Sequence, residues 1–350
     1  MCRSQPLLLL IFLVVFACNG VNAAKLPSTG SNEDLAQLPE LERETRLSPQ
    51  PAVNSDILLI YDKMVFLRLC LTYIKSCKIS VLGFSGGVLY EWTVDFTLVG
   101  IYCQDIVIRV FERNTTYNLS IVYYDDSGNS VTEEQKTIVT GIDSCPVACV
   151  YGEPHFRTYD GFRYPYQGDE GCLITLTMDC RERDKGTLTV QIDLEKSPLS
   201  TDASLKTRLK SVRILAYGRL YRMMKGGIVE DKSTPTGTVT VTSFPYHAEN
   251  VTVLKTILLT YEDGAQVDHT IHFFVHGYGI VEFNGKFRLY FFLTDPFWLG
   301  GNKICGMFGT PDSPPNVAND FLLKNGTNIP TSKGNAEAFG DNWTRFCPSS

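Results

Sequence analysis

The sequence has no C-x-x-C pair, no H-E-x-x-H run and no glycine-rich phosphate loop. These absences remove the usual signatures of zinc ribbons, thioredoxin-like sites, helical metalloproteases and nucleotide binders. Basic residues are in deficit: 32 Lys and Arg stand against 38 Asp and Glu, a net charge of −6. Proteins built to hold nucleic acid or an anionic membrane surface carry the opposite balance. Long helical periodicity, internal repeats and low-complexity tracts are also missing. After residue 23 no uncharged run is long enough to span a bilayer, and even residues 272–293 are interrupted by Glu282, Lys286 and Arg288.

What is present points outside the cell. Arg3, the apolar run 6–17 and the small residues of 21–24 read as a signal peptide (1–23) cleaved after Ala23, which predicts secretion. Of 11 cysteines, Cys2 and Cys18 fall within it. The nine that remain, Cys70, Cys77, Cys103, Cys145, Cys149, Cys172, Cys180, Cys305 and Cys347, are expected to form disulfides. An odd number leaves at least one thiol free or paired with another chain. Asn114, Asn118, Asn250, Asn325 and Asn342 each head an N-glycosylation sequon.

Residues 24–54 have the polar, Pro-containing composition of a linker. From 55 to 145, short β-branched and aromatic runs and a hairpin turning at Asp125–Asn129 predict a small β-sandwich-like domain. From 146 to 348 the same pattern predicts a larger all-β domain, with tight turns such as "FNGK". The fold class is therefore all-β.

Few residues suggest catalysis. Ser85 in "GFSGG" matches G-x-S-x-G, but the hydrolase elbow needs a helix after the serine, and a strand pattern follows. His272 and His276 share a strand face on paper, yet four residues along a strand span ~13 Å, too far for one ion. No pair of carboxylates stands out.

Three stretches carry a family resemblance. "CVYGEPHFRTYDGFRYPYQGDEGC" (149–172), "ICGMFGTPDSPPNVANDF" (304–321) and "AFGDNWTRFC" (338–347) resemble, in order, the opening, closing and terminal motifs of a von Willebrand factor type D domain. The resemblance covers about 149–347. It implies a disulfide-linked all-β module of adhesive, gel-forming or matrix proteins without enzymatic activity. By the family's pattern the bridges would be Cys149–Cys305 and Cys172–Cys347, each closing a loop worth roughly 4–5 kcal/mol in chain-entropy models. The family's second closing cysteine is replaced by Asn302, so Cys180 is either a free or intermolecular thiol or re-pairs with Cys145 or another upstream cysteine. Calcium is the one cofactor implied, through Asp160, Asn319 and Asp320. Met307 and Gly309 offer no side-chain oxygen where relatives have one, leaving Asp312 or Asn316 as substitutes and turn capping by Asp160 and Asp320 as the alternative.

Glu153 replaces the aspartate whose bond to proline cleaves itself in some relatives. Its longer side chain would need a six-membered ring, so the 153/154 bond is expected to stay intact, which intact mass after low-pH exposure checks. The functional expectation is a secreted structural, adhesive or protein-binding module, self-associating or binding extracellular proteins, with no nucleic-acid partner and no membrane span. Alternatives are a secreted regulator of a growth-factor-like ligand, a relative of lipid-carrying yolk proteins, and a serine hydrolase using Ser85.

Overall fold

A computed structural model describes residues 51–61, 63–96, 101–109, 111–112, 114–140, 146–181, 187–201, 206–234, 237–260, 267–345 and 347. The expected signal peptide, nearly all of the expected linker, and Cys145 lie outside the described residues.

Residues of alternating polarity become strands almost throughout. The first seven are β1 (Ala52–Tyr61), β2 (Met64–Thr72), β3 (Ser76–Leu82), β4 (Val88–Asp95), β5 (Ile101–Arg109), β6 (Thr116–Tyr124) and β7 (Ser130–Val139). Then come β8 (Val147–Tyr151), β9 (His155–Arg157), β10 (Arg163–Pro165), β11 (Leu173–Asp179), β12 (Leu188–Lys196), β13 (Thr207–Ala216) and β14 (Arg219–Met224). They are followed by β15 (Ile228–Thr234), β16 (Gly237–Val241), β17 (Tyr246–Ala248), β18 (Val251–Thr260), β19 (Val267–Val275), β20 (Gly279–Phe283) and β21 (Arg288–Leu293). The chain closes with β22 (Ile304–Cys305), helix α1 (Ala336–Trp343) and β23 (Thr344–Arg345). The protein is all-β and disulfide-linked, each bridge joining positions within or beside a single sheet.

Three sheets result. One runs β4-β3-β6-β7, one runs β16-β15-β14-β13-β12-β11-β22, and the longest runs β1-β2-β5-β18-β19-β20-β21-β8-β9-β10. The β6–β7 turn closes through Asp125, whose carboxylate accepts from the backbone of Ser127 and Asn129. One apolar core lies among β1–β7, with Leu67, Ile79, Ile106 and Ile121 inaccessible to solvent. A larger one lies in the C-terminal half, with Ile192, Phe273, Phe291 and Phe308.

The two halves share the longest sheet because β5 pairs in parallel with β18, Asp105 opposite Thr256 and Arg109 opposite Thr260. This join was not anticipated from sequence. Its physical basis is in β5 itself, where Ile106, Val107 and Ile108 are all buried, so the strand is covered on both faces like an interior strand. Alternation puts Ile106 and Ile108 in the N-terminal core and turns Val107 to the other face, where it joins Met64, Phe66, Leu254, Ile280 and Phe292 in a third cluster.

That far face carries the junction's buried charge. Arg109 donates to Glu282 and lies over the rings of Tyr290 and Phe292. His272 is fully buried beside them, its Nδ1 3.5 Å from Glu282 and its ring edge-on to Phe66. Burial lowers the His272 pKa well below its usual range, so the imidazole is neutral, and burial raises that of Glu282 against the pull of Arg109. His276 lies just beyond β19 and is exposed, so the two histidines do not share a strand face.

Candidate functional site

The opening motif folds into the β9–β10 hairpin. Phe156 and Tyr164 alternate inward and stack, and Thr158 and Phe162 bond across the turn, where Gly161 adopts a positive φ of 99°. Tyr164 donates to the carbonyl of Met307, and the Tyr159 amide donates to that of Phe308, so the hairpin grips the loop after Cys305. Tyr166 reaches α1, donating to Asp341. Its ring lies against Gly340, where a Cβ would come within 2.2 Å, so the glycine of "FG" in the terminal motif is a packing requirement. Trp343 donates its indole N–H to the Leu322 carbonyl. The three motifs thus form one knot of structure.

Asp160 sits at the hairpin tip and faces the 312–320 loop. Its carboxylate accepts from the backbone amides of Asp312 at 3.1 Å and Asn316 at 2.8 Å. Asn319 Nδ2 donates to Asp312 at 2.7 Å. Asp320 accepts from Thr158 Oγ1 at 2.7 Å. The Asn316 side chain caps the following turn through Ala318 N. Five of the residues weighed from sequence therefore meet here: Asp160, Asp312, Asn319 and Asp320 through their side chains, and Asn316 through its backbone amide. Thr158 was missed, although its place two residues before Asp160 was the available signal. Gly309 offers no ligand but makes room: its φ is +73°, and a Cβ would lie 2.4 Å from Asp320 Oδ1.

The cluster is electrostatically unfinished. Asn319 Oδ1 and Asp320 Oδ1 are buried with no hydrogen-bond partner. Burial, reinforced by Asp160 and Asp312, pushes the Asp320 carboxyl to about 8, with Thr158 opposing. Burial also raises Asp160, against the two backbone amides that stabilise its charge. Orphaned buried oxygens among several carboxylates suit a hard divalent cation, which takes oxygen ligands and would replace the missing donors. The acids have not closed on a point: among the described residues, the only three His, Cys, Asp or Glu with ligand atoms within 4.8 Å of one another are Asp169, Cys172 and Cys347, two of them bonded together.

The disulfides differ from those implied by the family pattern. Cys172 and Cys347 are bonded. Cys305 is bonded to Cys180, not to Cys149. Register explains the change: β22 pairs with β11 so that Met178 opposes Cys305, and the Cys180 amide donates to Lys303 across the same ladder. Cys149 lies on β8 between the core residues Ala148 and Val150, so its side chain points away from the core that holds Cys305. Cys180 is therefore not the spare thiol; among the described residues Cys77 and Cys149 are free and buried. In the N-terminal half Cys70 bonds Cys103 across β2–β5.

The remaining candidates scatter. Ser85 lies in the turn of the β3–β4 hairpin, closed by Gly83–Gly87 backbone bonds, with a strand on each side rather than the helix a hydrolase elbow needs. Glu153 pairs with Lys206 at 3.1 Å. With Cys149 unpaired, no disulfide among the described residues bridges the 153/154 bond. Asn114, Asn118, Asn250 and Asn325 are exposed; Asn342 is half-buried, its Oδ1 accepting from Lys324 N.

Together these features define an all-β module tied by long-range disulfides, with a loop that buries carboxylate and amide oxygens without hydrogen-bond partners. The family profile of the von Willebrand factor type D domain matches residues 148–327, just over half of the chain, and the chain belongs to that family. Type D domains occur in extracellular proteins and serve as non-enzymatic interaction and oligomerisation modules. No curated protein matches the chain. Among the described residues no helix is long and apolar enough to cross a membrane.

Proposed function

We propose that the protein is secreted and acts as a non-enzymatic binding module of extracellular matrix, mucus or adhesion structures, recognising other extracellular proteins or a second copy of itself. The observation that carries this is the type D knot itself: three family motifs converge on one loop, and two disulfides with sequence separations of 175 and 125 tie it down. Such covalent bracing suits an oxidising compartment. A calcium ion held by Asp160, Asp312, Asn319 and Asp320 would supply positive charge to the 312–320 loop and order it as part of the binding surface.

The test is expression of the full chain with its own N-terminus, followed by capture of partners from conditioned medium. The expected outcome is a glycosylated, disulfide-bonded protein in the medium that retains extracellular proteins or itself. Retention inside the cell with all cysteines reduced would overturn it.

A further inference from the structure

At the β21-β8-β9-β10 end of the longest sheet, the outward residues form two rows. Direct cross-strand pairs link Arg163, Arg157, Cys149 and Tyr290 in one, and Pro165, His155, Tyr151 and Arg288 in the other. All three arginines are exposed, as are Tyr151 and His155. Their strand neighbours Phe156, Tyr164 and Leu289 are buried in the type D core, so the arginines stand on the opposite face.

The charges on this face are uncompensated. Arg157 and Arg163 oppose one another directly, a like-charge pair that destabilises a sheet. Among the described residues, none of the three arginines has a carboxylate at ion-pair distance. The second sheet behaves differently: its Arg208, Arg213, Arg219 and Arg222 each hold one. Glu282 feels Arg288 but is bonded to Arg109. The thiol at the centre adds no negative charge, because burial raises the Cys149 pKa against the pull of all three arginines. In a chain of net charge −6, three clustered unpaired cations mark a place that meets an anion.

The geometry selects the kind of anion. Four strands span about 14 Å, and the guanidinium forks stand on the face of the sheet, not along its open β10 edge. An added peptide strand would use that edge. An anionic bilayer would need a broad apolar face beside the charges; here the Tyr151 and His155 rings, 5.6 Å apart, follow Arg288 in one row, beside the adjoining Arg157 and Arg163 of the other. Flat rings beside forked cations suit stacked sugar rings bearing sulfates, which guanidinium groups bind in two-pronged fashion. We infer that this face binds a sulfated polysaccharide laid across β21, β8, β9 and β10. The inference rests on the extracellular binding role proposed above and names a ligand class for it.

Heparin is the probe. The secreted full chain should bind immobilised heparin at physiological salt, and R157Q/R163Q/R288Q should bind about 100-fold more weakly, as expected for losing several charge-assisted hydrogen bonds. Its dependence on salt should also be shallower, because fewer counterions are released. A K63Q/K78Q/K232Q control removes the same charge elsewhere and should stay within about twofold. The triple arginine variant should melt no lower than the wild type, since it relieves like-charge repulsion. Absent heparin binding, equal loss in both variants, or equally tight binding to poly-glutamate or phosphatidylserine vesicles would each overturn the inference. A correctly secreted protein that ignores heparin would sink the ligand class and leave the extracellular role standing.

Discussion

Compared with the type D half, the β1–β7 half is held together locally. Among its described residues Asp105, paired with Arg68, is the one buried carboxylate, and its disulfide, Cys70–Cys103, joins cross-strand neighbours with a sequence separation of 33. Even its spare thiol is inert: burial raises Cys77 to about 12. The type D half instead joins residues 175 and 125 positions apart and buries Asp320, Asp179, Asp193 and Asp231. Hairpins can be stabilised by neighbours, and β1 with β2, β3 with β4 and β6 with β7 pair in this way, with β5 the exception. A domain whose opening hairpin must meet its last helix has to close very long loops, and covalent bonds offset that entropy.

The sharpest test removes the long bridge. C172S/C347S should lower type D stability by about 5 kcal/mol, whereas C70S/C103S should cost its half about 4 kcal/mol in the chain-entropy view. Denaturant unfolding of the secreted chain measures both, and the contrast breaks if the short bridge proves as costly as the long one.

The junction comes next. Arg109 belongs to β5 and Glu282 to β20, so R109A leaves a buried carboxylate without its cation and should cost about 3–5 kcal/mol. R109M/E282Q, which removes both charges, should recover much of that. A loss in R109A below about 1 kcal/mol would show that the halves do not depend on this pair.

The smallest effect expected is on the acidic 312–320 loop. Saturating calcium at about 100 times its Kd should add about 2.7 kcal/mol to the type D half and leave the β1–β7 half unchanged. D320N should abolish that gain. The pH dependence follows from Asp320, whose folded pKa, about 8, lies above its ordinary value of 3.8. Between those values the folded state binds more protons than the unfolded, so this group's contribution to calcium-free stability declines as pH rises from about 4 to about 8. Calcium must displace that proton, so its affinity should rise over the same range. Thermal melts across pH with and without EDTA check this; a calcium response independent of pH and retained in D320N would exclude the loop.

Much of the architecture was legible in sequence. Alternating residues such as those of β12 and β13 announced strands, "DDSGN" announced its turn, and the type D motifs identified their own domain. Asp160, Asn319 and Asp320 were legible as a group because the motifs placed them together. The Cys180–Cys305 bond was not, because it depends on the register of the two-residue β22 against β11. Nor was the gathering of Arg157, Arg163 and Arg288 on one face, which follows from β8 lying between β21 and β9.

By itself the sequence determined the all-β class, the family and the residues of the acidic loop, since these depend on local alternation, turn chemistry and closely spaced motifs. Only the tertiary structure decided which cysteines meet, which carboxylate is buried without a partner, which arginines lack one, and that β5 and β18 join the halves in one sheet. The physical reason is that pairing and register are long-range properties: a strand's own residues set which side faces inward, but not which strand will lie beside it.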